Sequence, residues 1–135
     1  TRKYHAIVYG LLKDDFGTID KPIGRSDTDR KKMAVNAKNG RNAVTHYKVL
    51  KRFDKYSYIE CQLETGRTHQ IRVHMASIGY PILGDDVYSN RSCPFKLEGQ
   101  CIQEKTIGFV HPSSLKYVEF DAPLPDYFIH LLDIL

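Results

Sequence analysis

The hydrophobic pattern of this chain changes period once, abruptly, and that switch limits the folds open to it more than any other feature. Ile59, Cys61 and Leu63 alternate with Tyr58, Glu60 and Gln62, the period of two of a strand with one buried face. Gly66 stops the pattern. Beyond it Ile71, Met75 and Ile78 recur at spacings of four and three, which sets them on one stripe of a helix. The corner between the two elements carries Arg67, Thr68, His69, Gln70, Arg72 and His74. Polar groups in that number are costly near a core, so the corner is expected to serve chemistry or RNA. Thr65 or Thr68 is the candidate helix cap. A helix start exposes unpaired backbone N–H groups and Arg67 adds a full positive charge, so the corner is expected to seat an anion or a carboxylate.

Two blander readings compete. A lone Arg–His pair is usually a solvated helix end, but five polar residues within the six positions 67–72 argue against that here. Zinc is the other. His69 and His74 are five apart and point about 140° away from each other on a helix, unlike the four-residue spacing that converges on a metal; no metal site is expected. Cys61, Cys93 and Cys101 are scattered and odd in number. They suit a reducing cytosol better than a disulfide framework and read as structural.

The remaining elements follow from the same rules. Tyr4–Tyr9 reads as a strand, Val44–Phe53 and Tyr56–Leu63 as an antiparallel hairpin turning at Asp54-Lys55, and Gln70–Ile78 as a helix ended by Gly79 before Pro81. Thr106–Val110 and Lys116–Phe120 read as strands around a His-Pro-Ser-Ser turn, and Asp126–Leu132 as a closing helix after two prolines. Hairpin connections predict an α+β fold, a mainly antiparallel mixed sheet with flanking helices. At 135 residues the chain has the length of about one domain, and no apolar run approaches a membrane span. No membrane partner is expected, and the chain reads as soluble and cytoplasmic.

Charge is distributed unevenly. The formal net charge is +4, yet Lys21, Arg25, Arg30, Lys31, Lys32, Lys38 and Arg41 stand against only Asp27 and Asp29, a local +5. The rest is nearly balanced. Residues 21–41 are rich in Gly, Asn, Asp and Ser, so they read as an exposed, mobile loop whose cations track RNA phosphates.

Gly66-Arg67-Thr68-His69-Gln70-Ile71-Arg72-Val73-His74 resembles the signature of the RluA family of RNA pseudouridine synthases. The likeness continues in order through Lys3–Gly10, Pro22–Arg25, Ala43–Leu50, Gly79–Tyr88, Phe109–Pro112 and Ala122–Pro125, nearly the whole chain. It implies an isomerase acting on ribosomal or transfer RNA, with no cofactor, metal or nucleotide consumed. It also implies that Tyr4 is the active-site tyrosine, stacking on uracil and taking part in proton removal at C5. Arg67 is then the partner of a catalytic aspartate. His69, Gln70 and Arg72 support the loop first and contact RNA second.

The family's aspartate lies in a His-Arg-Leu-Asp segment upstream of the tyrosine strand, and that string does not occur in these residues. The chain is therefore expected to be the C-terminal part of a catalytic domain, inactive alone and prone to self-association through an uncovered sheet edge. The alternative is a non-catalytic RNA-binding module from a truncated relative. Gln103-Glu104, where the family often has His-Ala, and Ser89, where it often has Gly, depart from the pattern; neither is expected to touch Tyr4 or Arg67.

Overall fold

The computed structural model describes Thr1–Leu135. Strand β1 (Arg2–Tyr9) occupies the middle of a six-stranded sheet ordered β2-β5-β6-β1-β7-β8, in which every pairing is antiparallel. The other strands are β2 (Phe16–Asp20), β5 (Val44–Arg52), β6 (Tyr56–Leu63), β7 (Ile102–Val110) and β8 (Tyr117–Asp121), while β3 (Ile23–Arg25) and β4 (Met33–Val35) form a separate ribbon. The β5–β6 hairpin and β1 fall where the periodicity placed them.

Alternation along β1 explains the layering. Ala6 and Val8 point to one face and join Ile59, Cys61, Ile71, Met75 and Ile82, so helix α1 (Gln70–Ser77) lies on that side. Ile7 and Tyr9 point the other way and meet Leu83, Cys101, Phe128 and Leu131, which brings in helix α2 (Asp126–Ile134). Because β1 is covered on both faces, its run Ala-Ile-Val is continuously apolar rather than alternating. Gly79 ends α1 at φ +90°, a left-handed conformation that costs glycine nothing. No helix is long and apolar enough to cross a membrane.

Three sequence expectations need correction. Residues 21–41 are not a structureless loop: Ile23 is buried against Ala43 and Val73, and the β3–β4 ribbon docks beside α1. Strand β7 begins at Ile102 rather than Thr106, because Gln103 and Glu104 pair with His5 and Tyr4 despite their polarity. The register slips by one residue between Lys3 and Tyr4, a bulge that twists the strand beside Tyr4. Third, neither Thr65 nor Thr68 caps α1. Its N-cap is His69 at φ 55°, ψ 25°, with no side-chain cap bond, and the helix starts at Gln70.

Candidate active site

A pocket of about 170 Å³ opens where β1, the end of β6 and the start of α1 converge, lined by Arg2, Tyr4, Arg67, His69, Gln70 and Arg72 with apolar walls from Leu63, Ile71 and Ile102. Tyr4 and Arg67, far apart in sequence, thus face one space. Gly66 also lines it, and a Cβ there would stand 3.0 Å from the Arg2 guanidinium.

Gln70 organises the corner from beneath. It is 3% exposed, and its Oε1 accepts the Thr65 hydroxyl at 2.8 Å and the Arg67 backbone N–H at 3.0 Å. Its Nε2 donates to the Val44 carbonyl and to Thr45 Oγ1. Thr45 in turn faces His74 Nδ1 at 2.8 Å, and His74 Nε2 donates to the Lys21 carbonyl at 2.9 Å. This buried chain leaves no polar side-chain atom unsatisfied. Gln70 thus takes the Arg67 N–H, which is closed to an anion, while the Arg67 guanidinium reaches the pocket. Its Nε is tied to the Asn42 carbonyl at 2.8 Å, and its two terminal nitrogens carry no protein partner.

Tyr4 is held by neighbours that sequence reasoning missed. Arg2 donates to its phenol oxygen at 2.5 Å and also pairs with Glu104, which faces Tyr4 across the strand register. The departure at Gln103-Glu104 therefore does reach Tyr4. The available signal was Arg2 itself, two residues before Tyr4 and so on the same strand face. Burial, reinforced by Glu104 and opposed by Arg2, raises the Tyr4 phenol above its ordinary value, so it stays protonated at neutral pH.

Arg72 and His69 are tied to a segment the sequence reading quoted without assigning. Arg72 forms a two-pronged ion pair with the buried Asp85, at 2.8 and 3.1 Å, and lies over the Tyr88 ring. Burial pushes the Asp85 carboxyl up, but Arg72 and the Tyr88 and Val87 N–H groups outweigh it and hold the carboxyl below its ordinary value. Tyr88 accepts the Met33 N–H and meets His69 Nδ1 at 2.8 Å. His69 and His74 thus have separate partners, and no group of three His, Cys, Asp or Glu forms a metal cluster.

Of the seven expected RNA-binding cations, Arg25 and Arg41 join Arg67 and Thr68 in a second cleft of about 370 Å³ that shares Gly66 and Arg67 with the first. Lys21, Arg30, Lys31, Lys32 and Lys38 line neither space. Asp29 and Asp27 accept the backbone N–H groups of Lys31 and Lys38, folding the ribbon's turns.

The sequence model of the RNA pseudouridylate synthase family matches residues 1–77. An uncharacterised RNA pseudouridine synthase of Bacillus subtilis is 52% identical over 98% of this chain and 43% of its own length. The ribosomal large subunit pseudouridine synthase D of Neisseria meningitidis serogroup A is 46% identical over 99% of this chain and 38% of its own. The chain therefore spans about two fifths of the length of these curated relatives. Among solved structures, human RNA pseudouridylate synthase domain containing 1 superposes with a TM-score of 0.83 at 26% identity, over 93% of this chain and 55% of that one. Matches of this extent, with the glycine-arginine corner set at the mouth of the pocket, make the chain a member of the RNA pseudouridylate synthase family, of the RluA type.

Proposed function

We propose that the polypeptide containing this chain isomerises uridine to pseudouridine in RNA, with ribosomal RNA as the substrate class, and that these residues form the C-terminal portion of its catalytic domain. The observation that carries the reading is the single pocket shared by Tyr4 and Arg67. The relatives named for the ribosomal large subunit support the choice of RNA. A non-catalytic RNA-binding module is less favoured, because relatives matched over nearly the whole chain carry synthase names.

The reaction breaks the bond from uracil N1 to ribose C1′, turns the base within the site and joins C5 to C1′. C5 loses a proton and N1 gains one, so the balance requires no cofactor or metal. A uridine in folded RNA must first leave its stack, at a cost of a few kcal/mol. The Tyr4 ring offers the extruded base a stacking face between Leu63, Ile71 and Ile102. Tyr4 stacks on the base, hydrogen-bonds through its phenol and takes part in proton removal at C5. The free terminal nitrogens of Arg67 receive the aspartate of an upstream His-Arg-Leu-Asp segment, keep it ionised and fix its aim. Arg25 and Arg41 hold the adjoining phosphates, and the ribbon lysines add long-range attraction.

The setting is cytoplasmic. Without the aspartate, the isolated chain is inactive. It self-associates through the free edge of β8 and the exposed Ile107, Phe109 and Phe120.

Tritium at uracil C5 is released to water when C5 bonds to C1′, which gives a direct assay. The full polypeptide releases label from ribosomal RNA transcripts, and Tyr4→Ala and Arg67→Ala each slow it by roughly a hundredfold or more. Complete retention of label by the unaltered polypeptide on every RNA tried overturns the proposal.

A further inference from the structure

His69 has three properties that its place at the pocket mouth makes informative together. Its backbone is left-handed, φ 55°, a conformation that costs a residue with a Cβ about 1–2 kcal/mol. Such strain persists only where surrounding contacts hold it, and here the imidazole is held edge-on to Tyr88 with ring centres 5.6 Å apart. Hydrogen bonding around Tyr88 bears on the proton. The Tyr88 oxygen accepts the Met33 N–H at 3.1 Å, and the protein acceptor beside its O–H proton is His69 Nδ1 at 2.8 Å. With that O–H donated to Nδ1, a neutral His69 carries its own proton on Nε2. Burial and the nearby Arg72 lower its pKa, which favours the neutral ring. Nε2 has no protein partner, and the ring lines the pocket that also holds Tyr4.

Resting on the functional reading above, we propose that Tyr88 locks His69 in the Nε2–H tautomer, so that His69 donates a hydrogen bond to a carbonyl oxygen of the uracil seated against Tyr4. A phosphate is the less suitable acceptor. The arginine cleft that suits phosphates is lined by Arg25, Arg41, Arg67 and Thr68 but not by His69, whereas the pocket His69 does line has apolar walls fit for a base. The β3–β4 ribbon takes part through Met33: its backbone N–H occupies the Tyr88 oxygen and so orients the one remaining proton.

The test uses the full polypeptide and a pair of near-isosteric replacements. Asn at position 69 keeps a polar group facing Tyr88 but has nothing at the Nε2 position, whereas Gln supplies an N–H donor there. His69→Asn is expected to lower the single-turnover rate about ten- to a hundredfold at saturating RNA, with RNA affinity little changed because phosphate contacts dominate it. His69→Gln recovers most of that loss. Substrates with a 2-thio or 4-thio uracil, a poorer acceptor, slow the unaltered protein but leave His69→Asn no slower than it already is. Nitrogen NMR of the side chain reads the tautomer directly: Nε2–H in the unaltered protein, a mixture in Tyr88→Phe. An Nδ1–H tautomer in the unaltered protein, or His69→Asn at full rate, overturns the inference. If the unaltered protein releases no tritium at all, the functional reading falls, and the tautomer measurement still decides the donor claim.

Discussion

Replacing Gln70 by Leu tests whether the corner is held from below, as its hydrogen bonds indicate. Leu fills nearly the same volume, so the loss is polar rather than one of packing. Of the four partners, the Val44 carbonyl retains the Glu64 N–H, and Thr45 Oγ1 retains His74. Thr65 Oγ1 keeps the Val44 N–H but loses the acceptor for its own proton, and the Arg67 N–H loses its only partner. Two orphaned donors at about 1–3 kcal/mol each, less about 1–2 kcal/mol gained from a more apolar side chain, give a destabilisation of roughly 1–4 kcal/mol. For a domain of this size that corresponds to a fall in melting temperature of about 3–14 °C. Thermal unfolding followed by circular dichroism reads it, and tritium release reads the second consequence. A freed Arg67 backbone misaims its guanidinium, so the rate should fall further than the lost folded fraction accounts for. A Gln70→Leu protein that melts within a degree of the parent and turns over normally would show that Gln70 is a bystander.

Stability should weaken on mild acidification through His74. Burial holds its imidazole below the ordinary histidine value of 6.5, so the unfolded chain binds the proton more readily. The contribution is complete above about pH 6.5 and declines as pH falls towards the folded value, with a slope of at most about 1.4 kcal/mol per pH unit; denaturant midpoints flat from pH 7 to pH 5.5 contradict this. Arg25→Ala and Arg41→Ala should each weaken RNA binding at low salt and reduce the slope of log affinity against log salt by about 0.7–0.9. An unchanged slope removes them from the phosphate path. Native thiol titration should find only Cys93 quickly reactive, since burial pushes Cys61 and Cys101 up to about 12. Rapid labelling of all three thiols would mean that the two clusters flanking β1 are loosely packed.

Legibility in the sequence tracked how local the signal was. The β5–β6 hairpin and α1 could be read because each writes its own period into consecutive residues, two for Ile59 and Cys61 and then four for Ile71 and Met75. Strand β2 and the β3–β4 ribbon were not read. They are three to five residues long, and what fixes them is distant: Phe16–Asp20 by pairing with β5, and Ile23 by burial against Ala43 and Val73. A short edge strand has too few alternations to announce itself, and the cations and turn residues around the ribbon mimic an open loop.

The same distinction divides the site. Arg67, His69, Gln70 and Arg72 lie in a segment dense enough to be singled out from the chain alone, whereas Tyr4 was reached through the likeness of its strand to the family pattern. The groups that set their chemical state arrive by tertiary contact: Glu104 through strand register, and Asp85 and Tyr88 through the segment after α1. A motif therefore names the side chains that reach the pocket, while protonation state, tautomer and aim are set by partners about thirteen to a hundred residues away. Substituting those partners while leaving the motif intact is the sharper probe. Tyr88→Phe leaves every residue of the glycine-arginine signature unchanged, yet it releases the His69 tautomer and unties the ribbon from the corner. If that variant behaves like the unaltered protein, the signature alone suffices and the coupling drawn here has no chemical consequence.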